Sequence, residues 1–225
     1  MSRSFGLVDY KVLEAEYFLD QLIACSGALS ISGAQYNASA FAAAARSITF
    51  AMQASMSDAD GFRTWWTARQ TELRAEPLAR FFNDFRRVTQ HIGLSVVNAG
   101  SARDGRATYY FQPCGDLPHV PSQDVEAACE EYFGRILDLV YRCYVDFRPL
   151  VDGQAYFTES NFRRLGLTIE DAEAQLGLAH GWTSIGDPEL SPQRWAQLRR
   201  MADGCLIEQQ FDRWLGRVLP PVVDA

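Results

Sequence analysis

Two adjacent arginines precede a histidine near the middle of the chain, in the sequence RRVTQH of residues 86–91. An imidazole titrates near neutral pH and can transfer a proton in a reaction. A guanidinium group is planar and permanently charged, so it can stabilise negative charge that develops on phosphate oxygens. Arg86, Arg87 and His91 are therefore the candidate catalytic residues of this sequence.

The spacing alone does not decide which arginine would act with the histidine. On an ideal α-helix, Arg87 and His91 share a face because they are four residues apart, whereas Arg86 lies about 140° round from His91. Fraying at the end of the helix, or a partner subunit, could bring Arg86 into use. The alternative reading is structural: a histidine near a helix C-terminus is stabilised by the helix dipole, among solvated arginines.

The three residues belong to a predicted helix from Pro77 to Gly93. Pro77 suits the first turn of a helix, and Gly93 suits its end. At 3.6 residues per turn the opposite side from the charged residues is apolar and predicts a core-facing seam. Its members are Leu78, Phe81, Phe82, Phe85, Val88 and Ile92.

The elements around this helix predict an all-α fold. Apolar residues recur at helical spacing over about residues 7–28, from Asn37 or Ser39 to about residue 56, over 61–74 and over 122–147. Short loops between them predict an antiparallel helical bundle over residues 1–148, with a short hairpin or loop excursion between Ser95 and Pro121. Residues 149–225 predict a smaller C-terminal helical region of unknown role.

Charge and composition limit the classes of ligand. The 225-residue chain has a net charge of −7 and a pI near 5.0, which argues against a broad surface for duplex nucleic acid. No run of eighteen apolar residues and no apolar leader occur, so we expect no membrane span and a cytoplasmic location. The five cysteines form no CxxC pair and no zinc-like spacing, and we expect neither a metal nor a cofactor.

On RRVTQH and the predicted helices, residues 7–147 resemble the HEPN superfamily, whose helical domains carry an arginine separated by four to six residues from a histidine. Active members are usually metal-independent endoribonucleases whose motifs meet across a dimer cleft. The resemblance implies that Arg86 and His91 form the functional pair in a homodimer. Family members often have a polar residue such as asparagine after the arginine. Here that residue is Arg87, so the choice between Arg86 and Arg87 stays open.

Two functions of different classes follow. The first, which the resemblance implies, is an endoribonuclease that acts as a toxin or defence component, with an antitoxin or other protein partner. RNA supplies its own nucleophile, the 2′-hydroxyl, so proton transfer and charge stabilisation would suffice. The second is a non-catalytic helical module that binds a protein partner or nucleotide, and the acidic charge favours it.

We do not expect DNA binding, because the C-terminal helices lack a compact helix-turn-helix. Arg46, in the alanine-rich second helix, is interpreted as a satisfied structural arginine.

Overall fold

The computed structural model describes residues 5–93, 95–184 and 191–222. The chain is broadly all-helical, as the apolar periodicity predicts. The N-terminal helices are α1 (Gly6–Gly27), α2 (Ile31–Met56), α3 (Phe62–Ala75) and α4 (Pro77–Arg87), and α4 continues into a π-helical turn (Val88–Ile92). A hairpin of β1 (Val97–Arg103) and β2 (Arg106–Phe111) follows, and then α5 (Val125–Asp146). The remaining helices are α6 (Arg148–Val151), α7 (Gly153–Tyr156), α8 (Glu159–Arg164), α9 (Ile169–Gln175), α10 (Ser191–Met201) and α11 (Glu208–Leu215).

The chain divides into two compact units. Residues 10–139 form one, here called the N-terminal unit, and residues up to Asp9 together with those from Val140 onward form the other, the C-terminal unit. The divisions lie inside α1 and α5 rather than in loops. None of the helices among the described residues has both the length and the apolar character needed to cross a bilayer.

Helix α4 supplies the aromatic centre of the N-terminal unit. Leu78, Phe81, Phe82, Phe85 and Val88 are all buried, which confirms the predicted apolar face. Phe82 stacks on Tyr132 of α5 with ring centroids 4.4 Å apart, and Phe81 meets Phe111 of β2 edge-on at 4.7 Å. These contacts bury one side of α4 and leave its polar side exposed.

The end of α4 differs from the regular helix that the sequence predicts. The Thr89 hydroxyl donates to the carbonyl oxygens of Phe85 (3.0 Å) and Arg86 (3.3 Å), so it competes with backbone N–H groups for them. The Gly93 N–H then donates to Val88 O (3.1 Å), five residues back, with Gly93 at φ +76°. The wider winding turns Ile92 out of the core face, and its side chain is 44% exposed. The prediction that Ile92 is buried is therefore wrong.

Helix α2 begins earlier than Asn37 or Ser39. Ser30 caps it, with the Gly33 N–H donating to Ser30 Oγ at 3.2 Å. Gly33 lies inside the first turns of this helix, where it permits close packing. A Cβ at this position would lie 2.7 Å from Cys25 Sγ.

The hairpin predicted between Ser95 and Pro121 is present as the antiparallel pair β1–β2. Its turn residues Asp104 and Gly105 both have positive φ (51° and 76°), as a two-residue hairpin turn of type I′ requires.

In the C-terminal unit, helices α8 to α10 enclose a small apolar core that includes Phe162 and Trp195. Thr168 and Asp171 form a capping box at the start of α9.

Candidate functional site

His91 lies in the π-helical turn, six residues after Phe85, the last aromatic residue of α4. Its side chain is exposed, and within the described part of the chain the imidazole has no hydrogen-bond or ion-pair partner. Short π-helical segments inside α-helices frequently occur at functional sites. The imidazole is therefore accessible to a ligand.

Arg86 points towards α5. Its Nη1 donates to Gln90 Oε1 (3.3 Å), and its Nε is buried with no hydrogen-bond partner. Burial raises the pKa of Tyr132 to about 12, and the charges of Arg46 and Arg86 oppose that shift. The guanidinium groups of Arg46 and Arg86 thus both lie within electrostatic range of the Tyr132 hydroxyl.

Arg87 is directed elsewhere. Its Nη2 donates to the Asp116 carbonyl oxygen at 3.4 Å, and its Nε is 3.9 Å from Asp84 Oδ1. Both side chains of this ion pair are about half exposed, so the pair contributes little to stability. Both arginines donate to their own chain, and only Arg86 has a buried Nε without a partner among the described residues.

The π-helical turn changes the relation between Arg86 and His91. Its hydrogen bonds join residues five apart, as from Gly93 to Val88. Each residue therefore rotates the chain about the helix axis by a smaller angle than in an α-helix. The angle between positions 86 and 91 around the helix axis is consequently smaller than in an ideal α-helix. Arg86 and His91 therefore lie nearer to the same face of the helix than the ideal separation of about 140° would place them.

A cleft of about 320 Å³ opens beside α4, between α2, α3, α4 and α5 of the N-terminal unit. Three arginines from three helices face it: Arg46 from α2, Arg74 from α3 and Arg80 from α4. The rest of the lining is Thr49, Trp66, Gln70, Leu73, Ala79, Asn83, Asp84, Tyr132 and Ile136. We call this feature the arginine cleft. Arg86, Arg87 and His91 do not line it.

Arg46 is the most buried of the three cleft arginines. Its Nη1 donates to Thr49 Oγ1 (3.1 Å), its guanidinium lies 4.5 Å from the Phe50 ring centroid, and its Nε is buried without a partner. Burial lowers the pKa of Arg46, and the positive charges of Arg86 and Arg74 lower it further against the opposing effect of Tyr132. Arg46 is thus satisfied in part, through Thr49 and Phe50, and its interpretation as a structural arginine stays a prediction.

The other two histidines, His119 and His180, are exposed. Among residues 5–93, 95–184 and 191–222, no three or more His, Cys, Asp or Glu side chains are grouped so that they could hold a metal ion. The sequence signal for the arginine cleft is weak, since its arginines lie on three separate helices and only the fold brings them together.

Comparison with protein-family models, with curated proteins and with solved structures gave no match for this chain.

Proposed function

We propose that this protein is a metal-independent endoribonuclease of the HEPN type that acts as a homodimer, with the helices of residues 1–148 arranged as an antiparallel bundle. The observation that carries the proposal is the exposed His91 on the π-helical turn that follows Arg86. Among the described residues neither the His91 imidazole nor the buried Nε of Arg86 has a hydrogen-bond partner. A proton-transfer group and a cation for phosphate oxygens are the two parts that RNA cleavage needs.

The chemistry uses the nucleophile of the substrate. The 2′-oxygen attacks the adjacent phosphorus as a base removes its proton, the bond from phosphorus to O5′ breaks, and an acid donates a proton to O5′. The products are a 2′,3′-cyclic phosphate and a 5′-hydroxyl. Arg86 stabilises the charge on the phosphorane oxygens.

Two proton-transfer groups are needed, and each protomer contributes one His91. A homodimer that brings the two π-helical turns together would supply both the base and the acid through isologous contacts. A bell-shaped dependence of rate on pH is the expected consequence. Sedimentation at tens of micromolar protein should therefore show a dimer, and a monomer would remove the composite site.

Single substitutions test which arginine acts. Arg86→Ala should lower the cleavage rate by about a hundredfold or more, as loss of a transition-state charge contact does. Arg87→Ala is the matched control, because Arg87 is exposed and already donates to Asp116 O. Equal losses in the two variants, or a larger loss in Arg87→Ala, would reject the assignment of Arg86.

A second function is favoured by the acidic net charge of −7. A non-catalytic module that binds a protein partner or nucleotide needs no reactive imidazole. Wild-type protein that cleaves no RNA, single-stranded or structured, would support this function. In that case Arg86→Ala and His91→Ala would change partner affinity or stability alone. The role as a toxin or defence component, with an antitoxin as partner, belongs to the endoribonuclease proposal.

A further inference from the structure

The arginine cleft is lined by three arginines and one acid, Asp84. Within the described residues, no carboxylate lies within ion-pair distance of Arg46, Arg74 or Arg80. The one acid in the lining, Asp84, is partly exposed, and its ion pair is with Arg87 at 3.9 Å. Three guanidinium groups around one cavity create a positive potential there, and such a potential attracts an anion.

Two aromatic residues that carry polar donors also line the cleft. Tyr132 is 5% exposed. Trp66 is 7% exposed, and its indole Nε1 is buried without a partner. Buried polar groups are normally satisfied, so the unpaired Trp66 Nε1 beside three arginines is an unusual feature of this cleft.

The size and the lining of the cleft indicate which hydrogen-bond acceptor it could bind. A guanidinium fork matches a tetrahedral phosphate group through paired N–H donors. A volume of about 320 Å³ holds a phosphate with a small organic group attached but not a folded macromolecule. The apolar side chains of Ile136 and Leu73 and the aromatic rings offer contact to that organic group.

We propose that the arginine cleft is a binding site for a phosphate group carried by a nucleotide or by one residue of a single-stranded nucleic acid. Arg46, Arg74 and Arg80 bind the phosphate oxygens, and Tyr132 donates a further hydrogen bond. This inference does not depend on RNA cleavage, because it concerns residues other than Arg86, Arg87 and His91.

Binding to the full-length protein tests the proposal with ligands that cannot be cleaved. Calorimetric titrations would use inorganic phosphate, adenosine, adenosine 5′-monophosphate, and a short 2′-O-methyl oligoadenylate without terminal phosphates. Adenosine should not bind, since it lacks the phosphate. The monophosphate or the oligonucleotide should bind and raise the melting temperature.

Arg74→Gln and Arg80→Gln are the informative variants, because both side chains are exposed and their loss should not unfold the protein. Each should weaken phosphate-ligand affinity by about tenfold, the usual effect of losing one charged hydrogen bond. Arg63→Gln is the matched control: it removes the same charge from α3 outside the cleft and should change the affinity by less than about twofold.

The two phosphate sources give different results. Binding of the monophosphate that both cleft variants weaken identifies a nucleotide site. Binding of the oligonucleotide but not of the monophosphate, if Arg74→Gln and Arg80→Gln both weaken it, identifies a phosphodiester subsite. No binding of either ligand, or binding that Arg74→Gln and Arg80→Gln leave unchanged, overturns the proposal.

Discussion

Glu173 of α9 is a fully buried carboxylate that connects three segments of the C-terminal unit. It accepts hydrogen bonds from the Gly181 N–H (2.6 Å), from the N–H (2.7 Å) and hydroxyl of Thr183, and from Arg194 Nη2 (3.4 Å). Burial raises its pKa, but the hydrogen bonds from Thr183, Gly181 and Arg194 outweigh burial and lower the pKa from 4.5 to about 2.

The magnitude of this effect on stability follows from that shift. Lowering the pKa from 4.5 to about 2 corresponds to about 3 kcal/mol of the free energy of unfolding. Glutamine resembles the protonated acid in shape, so Glu173→Gln should lower the free energy of unfolding by about 3 kcal/mol at neutral pH. The measurement is urea unfolding followed by circular dichroism.

The same shift gives a pH dependence of defined sign. Because the folded pKa is depressed, the contribution of Glu173 is complete above about pH 4.5 and is lost as pH falls towards about 2. Wild-type stability should decline over this interval, and Glu173→Gln should lack that part of the decline. Glu170→Gln is the control, since the partly exposed Glu170 pairs with the same Arg194 at 3.1 Å and should cost less than about 1 kcal/mol. The reasoning would be refuted if Glu173→Gln lowered the free energy of unfolding no more than Glu170→Gln does. It would also be refuted if Glu173→Gln kept the pH dependence of wild-type stability.

Three further substitutions test local features by urea unfolding. Gly93→Ala places a side chain at φ +76° after the π-helical turn and should cost about 1 kcal/mol. Tyr144→Phe removes the hydroxyl that donates to both carboxylate oxygens of the buried Asp9 (2.7 and 2.9 Å) and should cost about 2 kcal/mol. Thr168→Ala removes the side-chain half of the α9 capping box with Asp171 and should cost about 1 kcal/mol. Unchanged stability in any of the three would contradict the role given to that residue.

Much of the N-terminal unit could be predicted from apolar periodicity. Aromatic residues at helical spacing identified the buried face of α4, and Pro77 identified its first turn. Such local patterns are readable because burial repeats with the helical period. The early start of α2 was missed because Gly33 serves close packing against Cys25, which no local pattern reveals.

The candidate site was only partly predictable. That Arg86, Arg87 and His91 of RRVTQH form the site stays a prediction, whereas the π-helical turn that carries His91 depends on the backbone partners of Thr89 and Gly93. The arginine cleft was missed altogether. Arg46 and Tyr132 are far apart in sequence, and their proximity arises from tertiary packing that periodicity does not encode.

The most direct test of the central claim is the product chemistry of His91→Ala compared with wild type. Purified wild-type protein in EDTA should cleave an RNA to a 2′,3′-cyclic phosphate and a 5′-hydroxyl, and should not cleave the same site carrying a 2′-deoxy substitution. His91→Ala should fold normally, since the side chain is exposed, and should give no product. His119→Ala, a substitution of another exposed histidine, should cleave at the wild-type rate. Cleavage by His91→Ala at the wild-type rate, or cleavage that requires added metal, would contradict the account.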